Sequence, residues 1–261
     1  MSGDSADETA PASRDENALR SLITSSGLPQ RRVPPPQLRE RILAAARADA
    51  FRFIGASAGL WIPLSPQARS KALFSDSSDR GSTRLLQLDH DAPIPEGAAG
   101  STRSLFIVDG EVRLDGQALE PWDFVDGIGS ASGGRAGRAG TLLLEMSPGG
   151  ASQVCVSRSR SAPWFSPFPN GRVRQLREGR DNGHEVFVLE MAANSALDEH
   201  DHRGLEELFV LDGTCTIEGQ PMAKGDYHRA TAGSHHHATS TTDGCLLLVS
   251  VRAFDRVEAS R

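Results

Sequence analysis

Beyond residue 50 the sequence alternates between short apolar runs and stretches rich in Gly, Asp, Ser and Pro. The runs are RLLQL, SLFIV, EVRL, TLLLEM, EVFVLEM, ELFVL, CTI and CLLLVSV. Many short strands separated by turn residues are typical of an all-β sandwich or barrel. The fold class predicted for most of the chain is therefore all-β.

The first 50 residues have a different pattern. Residues 1–12 are polar, and Ser13 with Glu16 could form a capping box at the start of a short helix that ends before Gly27. A second helix is predicted after the triple proline, over QLRERILAAARADA. We expect 1–50 to be a partly disordered, partly helical N-terminal segment.

The β-rich part contains an internal repeat. An offset of about 103 residues aligns Trp61 with Trp164, and it aligns SLFIVDGEVRLDGQ (104–117) with ELFVLDGTCTIEGQ (207–220). The alternative is chance similarity between β-rich segments. The repeat predicts two tandem lobes of similar fold, over 51–150 and 151–256.

Charge and composition narrow the function classes. The formal net charge is -6 and the three cysteines are far apart, without a CxxC pair. The absence of a basic stripe argues against a nucleic-acid partner, and the apolar runs are too short to cross a bilayer. The polar N-terminus does not resemble a secretory signal, and the cysteine pattern suits a reducing compartment. We expect a cytoplasmic protein, either monomer or homodimer.

The stretch HDHRGLEELFVLDG, residues 200–213, concentrates the candidate chemistry. In a strand His200 and His202 share one face, and Glu206 could join them if Arg203-Gly204 forms a small bulge or turn. A fourth side chain could come from the three histidines of GSHHH downstream. Such a mixed nitrogen and oxygen set suits Zn, Fe, Mn, Ni or Cu.

These residues resemble the first cupin motif, G-x5-H-x-H-x3,4-E-x6-G. The chain has His200-x-His202-x3-Glu206-x6-Gly213, with Asn194 in place of the leading glycine. The resemblance implies a bicupin of two jelly-roll (double-stranded β-helix) lobes.

The second cupin motif, G-x5-P-x-G-x2-H-x3-N, is matched at Gly225, Gly233 and His236, whereas Thr231 and Ser240 replace the proline and the asparagine. By this register His236 is the fourth metal ligand. His235 and His237 should point elsewhere on the strand.

The first lobe lacks the ligand set. The repeat places Gly97 opposite His200, Ala99 opposite His202 and Arg103 opposite Glu206, with a position near Gly133 opposite His236. A second site built on His90 is the alternative, but that histidine stands alone. The sequence therefore predicts one metal site, in the C-terminal lobe.

Within the cupins the chain resembles the group named for the anti-sigma factor ChrR, over roughly residues 30–255. The segments that carry this resemblance are PPPQLRERILAAA, LEELFVLDG and KGDYHRATAGSHHH. In that family the cupin binds zinc through the residues that correspond to His200, His202, Glu206 and His236. The family's sigma-binding domain has an H-x3-C-x2-C site, but this chain has no His before 90 and no Cys before 155. This difference argues against a sigma-factor partner.

Three functions fit these observations. The first is a regulatory or sensory cupin with a divalent metal, zinc first and Fe, Mn or Ni as alternatives, that responds to an oxidant or a small ligand. The second is a non-haem iron dioxygenase acting on a small diketone or aromatic ketone, since four protein ligands leave open positions on a six-coordinate iron. The third is a protein whose metal only stabilises the fold. No catalytic residue beyond the ligands is assigned.

Five more residues, on the strands that we predict around the ligands, also have expected roles. Tyr227 should pack in the core, and His228 could support the metal ligands. Glu207 should point out of the barrel, opposite Glu206, and be solvated. Cys215 and Cys245 should be inert core thiols.

Overall fold

The computed structural model describes residues 38, 50–75, 81–129, 133–149, 151, 153–179 and 184–252. The chain divides into two compact units, Met1–Ala45 and Ala46–Arg261. The first predicted helix lies outside the described residues. In the second predicted helix only Leu38 and Ala50 are described, and both are helical. Within the described part, no helix has the length and hydropathy needed to cross a membrane.

Strands are the main secondary structure among the described residues of the second unit. The first eleven are β1 Phe51–Ile54, β2 Ile62–Ser65, β3 Ala68–Ser75, β4 Ser82–Leu88, β5 Arg103–Asp109, β6 Val112–Leu114, β7 Gln117–Leu119, β8 Phe124–Ile128, β9 Arg135–Ala136, β10 Thr141–Ser147 and β11 Cys155–Ser157. The other eleven are β12 Trp164–Phe168, β13 Gly171–Arg177, β14 His184–Met191, β15 Ser195–Leu197, β16 His200–Asp201, β17 Leu205–Ile217, β18 Gln220–Ala223, β19 Tyr227–Ala230, β20 His235–His236, β21 Thr239–Thr241 and β22 Cys245–Arg252.

The strands form two lobes. One sheet has the order β11-β8-β5-β10-β4-β3-β2, and the larger one has the order β1-β19-β17-β22-β14-β13-β12 with β15, β18 and β21 attached. Two small sheets, β7-β6-β9 and β16-β20, complete the lobes. Strands of the two large sheets follow the repeat: β3 corresponds to β13, β8 to β19 and β10 to β22. The prediction of an all-β fold with two tandem lobes is confirmed.

The first strand of each half pairs with the sheet of the other half. Phe51 of β1 pairs with Ala230 of β19, and Cys155 of β11 pairs with Asp126 of β8. The division into 1–50, 51–150 and 151–256 stays a prediction. Backbone hydrogen bonds link residues of 51–150 with residues of 151–256 in both of these strand pairs. The lobes are therefore joined by hydrogen-bonded strands as well as by side-chain packing.

Three apolar cores hold this arrangement. One lies within the N-terminal lobe, one lies within the C-terminal lobe, and the third combines buried residues of both, such as Phe106, Phe124, Val188 and Phe209. Burial of one such aromatic side chain contributes roughly 1.5–3 kcal/mol. Because both faces of the large sheets are buried, their central strands are apolar nearly throughout, as in CLLLVSV.

This packing corrects the expectation for Glu207. The side chain does point away from the barrel interior, but it is buried between the lobes, only 3% exposed. The Tyr227 hydroxyl donates a hydrogen bond to Glu207 Oε1 at 2.6 Å, and Arg252 Nη2 lies 3.2 Å from Oε2. The prediction of a solvated side chain was wrong because the outer face of β17 is an inter-lobe face. Tyr227 is buried as predicted.

Candidate metal centre

A two-stranded ribbon, β16 with β20, places histidines on its inner face. His200 pairs directly with His236 across the ribbon. The next turn continues this register, because the His202 amide donates to the Ser234 carbonyl at 2.9 Å and the Gly233 amide donates to the His202 carbonyl at 2.7 Å. Gly233 has a φ of 81°, a left-handed conformation that costs glycine little. The turn thus brings the GSHHH segment back to the HDH segment.

All four predicted ligands meet at this ribbon. One nitrogen or carboxylate oxygen from each of His200, His202, Glu206 and His236 lies within 4.8 Å of the others. The imidazole rings of His202 and His236 have centroids 4.4 Å apart and are almost perpendicular. His200 Nδ1 donates to the Asp198 carbonyl at 2.9 Å, which leaves its Nε2 as the lone-pair nitrogen. The geometry is compatible with the predicted ligand set, and metal binding by it remains a prediction.

The charge state of this cluster also suits a cation. Burial raises the pKa of Glu206 to about 7 in the absence of a metal. Burial, followed by the neighbouring imidazoles, lowers the pKa of His202 and of His236 to about 4, so both rings are neutral at pH 7. His202 Nε2 is buried and has no hydrogen-bond partner among the described residues. Neutral imidazoles beside a desolvated carboxyl form a donor set that a divalent ion would satisfy.

His228 and Phe51 pack behind His236, and Phe53 packs on His228. His228 is fully buried, and its Nε2 lies 3.0 Å from His236 Nε2. Phe51 stacks on His236 at 5.0 Å between ring centroids, and Phe53 stacks on His228 at 4.5 Å. Sequence reasoning identified His228 but missed the two phenylalanines of β1. The alternation of the two phenylalanines in FRFI was the available signal, because alternate residues of a strand share one face.

A cavity of about 700 Å³ opens onto the cluster. His200, Glu206 and His236 form part of its wall. The described lining contains no lysine or arginine and includes two further acids, Glu185 and Asp198. The apolar part of the wall consists mainly of Phe165, Phe168, Val173, Phe187, Leu189, Leu197, Leu208, Leu247, Val249 and Val251.

The corresponding place in the N-terminal lobe is filled by an ion pair. Arg103, which the repeat aligns with Glu206, is 1% exposed and places Nη1 2.6 Å from Glu145 Oε2. The same nitrogen donates to the Pro95 carbonyl at 2.5 Å. A β-carbon added to Gly97 would lie 3.2 Å from Arg103 Cδ. A guanidinium thus occupies the space in which a metal ion would have to bind.

Comparison with known proteins agrees with this architecture. Residues 152–255, which contain the whole four-residue cluster, match the family model of the ChrR Cupin-like domain. A cupin 2 conserved barrel domain protein from Leptotrichia buccalis has a similar structure, with a TM-score of 0.53 and 17% identity over 73% of this chain and 91% of that one. The chain therefore has a cupin fold. No curated protein sequence matches it.

Other solved structures resemble this chain over most of its length. A protein from Nostoc punctiforme described as a "putative dioxygenase" gives a TM-score of 0.66 at 18% identity, covering 80% of this chain and 85% of its own. The R92A mutant of oxalate decarboxylase OxdC from Bacillus subtilis gives 0.58 at 9% identity, covering 78% and 77%. At such low identity these likenesses support the two-lobe fold and carry no information on activity.

Proposed function

We propose that this cupin binds one divalent metal ion through His200, His202, Glu206 and His236, and that a small ligand reaches the ion through the adjoining cavity. The observation that carries the proposal is that three of these four side chains form part of the cavity wall. A metal held there would act as a Lewis acid toward an oxygen atom of the ligand. A purely structural metal would not need an open approach of this size.

The cavity wall indicates the class of ligand. Its surface is mainly apolar, and its acids, Glu185 and Asp198, have no lysine or arginine beside them in the described lining. An anionic ligand would have to approach these acids with only the metal as a compensating charge. We therefore propose a neutral molecule with an apolar body and one or two oxygen atoms.

The role that we propose is regulatory: zinc in the site, and a response to a small ligand or an oxidant. The match of residues 152–255 to the ChrR Cupin-like domain supports this role. The alternative is a non-haem iron dioxygenase acting on a small diketone or aromatic ketone. The open cavity favours it, because a substrate could reach the ion through it.

Metal analysis of anaerobically purified protein separates the two roles. We expect His200→Ala, His202→Ala and His236→Ala each to contain one zinc per chain fewer than the unaltered protein and the His90→Ala control. About one iron per chain, with oxygen uptake on addition of a diketone, would favour the dioxygenase. Unchanged metal content in His202→Ala would refute the site assignment.

The ligand class has its own test. A neutral aromatic ketone, 4-hydroxyacetophenone, is compared with 4-hydroxybenzoate, an anion of similar size, by calorimetric titration of the metal-loaded protein. We expect the ketone to bind more tightly. Tighter binding of the benzoate would contradict the proposed neutral ligand and leave the metal assignment intact.

A further inference from the structure

The outer face of the β16-β20 ribbon carries a second cluster of metal-ligand side chains. In an antiparallel pair, directly opposed residues share a face and the next pair lies on the other face. His200 and His236 face inward, so the adjacent pair, Asp201 and His235, faces outward. His237 lies two positions after His235 and has the same orientation. The prediction that His235 and His237 point away from the inner cluster agrees with this arrangement.

These outward side chains lie close together. One ligand atom from each of Glu199, His235 and His237 lies within 4.8 Å of the other two. His235 Nε2 is 3.4 Å from Glu199 Oε2, and the rings of His235 and His237 have centroids 4.5 Å apart. Glu199 and His237 are solvent-exposed and His235 is half-buried. An ion in solution could therefore reach all three without a rearrangement of the fold.

One contact orients the ring of His235, and another anchors the backbone of His237. His235 Nδ1 donates to Asp201 Oδ1 at 2.8 Å, and Nε2 is directed at Glu199 Oε2 at 3.4 Å, where a bound metal ion would replace the Nε2 proton. Metal-bound histidines usually donate their other ring N–H to such a carboxylate. The backbone of His237 is also anchored, because its amide donates to Glu218 Oε1 at 2.6 Å. An exposed histidine–carboxylate pair contributes little stability by itself, so an oriented imidazole beside a second imidazole and two carboxylates needs another explanation.

We infer that the outer face of the ribbon is a second divalent-metal site. Glu199, His235 and His237 bind the ion, Asp201 orients His235, and water fills the other positions. Two imidazoles and a carboxylate suit Zn²⁺, Ni²⁺ or Cu²⁺. The ion joins Glu199, which directly precedes β16, to His235 of β20; these two strands carry His200 and His236 on their inner face. The inference goes beyond the proposed function and does not require the inner site to be occupied.

Zinc titration of the metal-free full-length chain, against a chromophoric chelator, tests this inference. We expect two equivalents in the unaltered protein and in His90→Ala, and one in His235→Ala and in His237→Ala. These two side chains are not in an apolar core, so the variants should keep their fold, which circular dichroism checks. His202→Ala should lose the other equivalent and keep the outer one.

The Asp201→Asn variant should lower the affinity of the outer site without removing the site. Because the amide orients His235 less firmly, we expect the outer equivalent to remain with an affinity roughly 10-fold lower. Two results would overturn the outer site. In the first, the unaltered protein binds only one equivalent and His202→Ala abolishes it. In the second, the second equivalent is still bound by both His235→Ala and His237→Ala. If instead His202→Ala changes nothing while His235→Ala and His237→Ala each lose one equivalent, the outer site stands and the proposed inner site fails.

Discussion

Arg103 and Glu145 form a buried ion pair, 2.6 Å between Nη1 and Oε2, at the place in the N-terminal lobe where the C-terminal lobe has its four candidate metal ligands. The repeat aligns Arg103 with the predicted ligand Glu206, so the carboxylate of one lobe is replaced by a cation in the other. Glu145 also pairs with Arg84 at 2.7 Å. In the N-terminal lobe the buried Glu145 is thus compensated by two arginines, whereas in the C-terminal lobe the proposed metal ion would compensate Glu206.

Arg103→Ala should strongly destabilise the protein. The substitution leaves Glu145 buried with only the half-buried Arg84 as its partner, and breaking a buried pair costs about 3–5 kcal/mol of unfolding free energy. Urea unfolding measures the loss. Arg138→Ala, which removes an exposed pair with Asp109, is the matched control and should cost less than about 1 kcal/mol. Equal effects of the two substitutions would contradict this account of Arg103.

Gly97→His should add no metal to the N-terminal lobe. The position corresponds to His200, but a β-carbon there would already lie 3.2 Å from Arg103 Cδ, and the guanidinium occupies the space for an ion. Metal analysis should give the same content as in Gly97→Ala, which introduces the β-carbon without a ligand. An additional equivalent found only in Gly97→His would show that the pair does not block a site.

The sequence was sufficient to predict the strands, the repeat and the four clustered side chains, because alternation and motif spacing are local signals. It was not sufficient for Glu207 or for Phe51. Glu207 lies on the face of β17 that the other lobe covers, and Phe51 reaches His236 because β1 pairs with β19. Both depend on contacts between segments far apart in the chain, which no local pattern encodes. Cys215 and Cys245 are buried free thiols, in agreement with their predicted place in the core.

His228→Leu should weaken metal binding without abolishing it. The His228 ring supports His236 from behind, and loss of such an outer partner typically lowers affinity about 10–100-fold. Competition with a chelator measures the affinity, and the metal content at saturation should not change. Tyr227→Phe is the control, since this neighbour faces the inter-lobe core and contacts Glu207 instead. An unchanged affinity in His228→Leu would contradict the positioning role.

His184 should make the protein less stable in acid. Burial, and next the nearby Arg252, lower its pKa from 6.5 to about 3, and Nε2 lies 3.1 Å from Ser250 Oγ. Between pH 6.5 and 3 the unfolded chain binds a proton at this residue and the folded chain does not, so stability is complete above 6.5 and falls as the pH falls. At pH 5 this difference amounts to about 2 kcal/mol.

The comparison of unaltered protein with His184→Asn isolates that contribution, because the histidines of the candidate metal site are present in both proteins. Urea unfolding at pH 7.5 and pH 5 should show a smaller acid-dependent loss in His184→Asn. His90→Asn removes an exposed imidazole and should keep the loss of the unaltered protein. If His184→Asn and the unaltered protein lose the same free energy between these two pH values, the neutral buried state of His184 does not limit stability in acid.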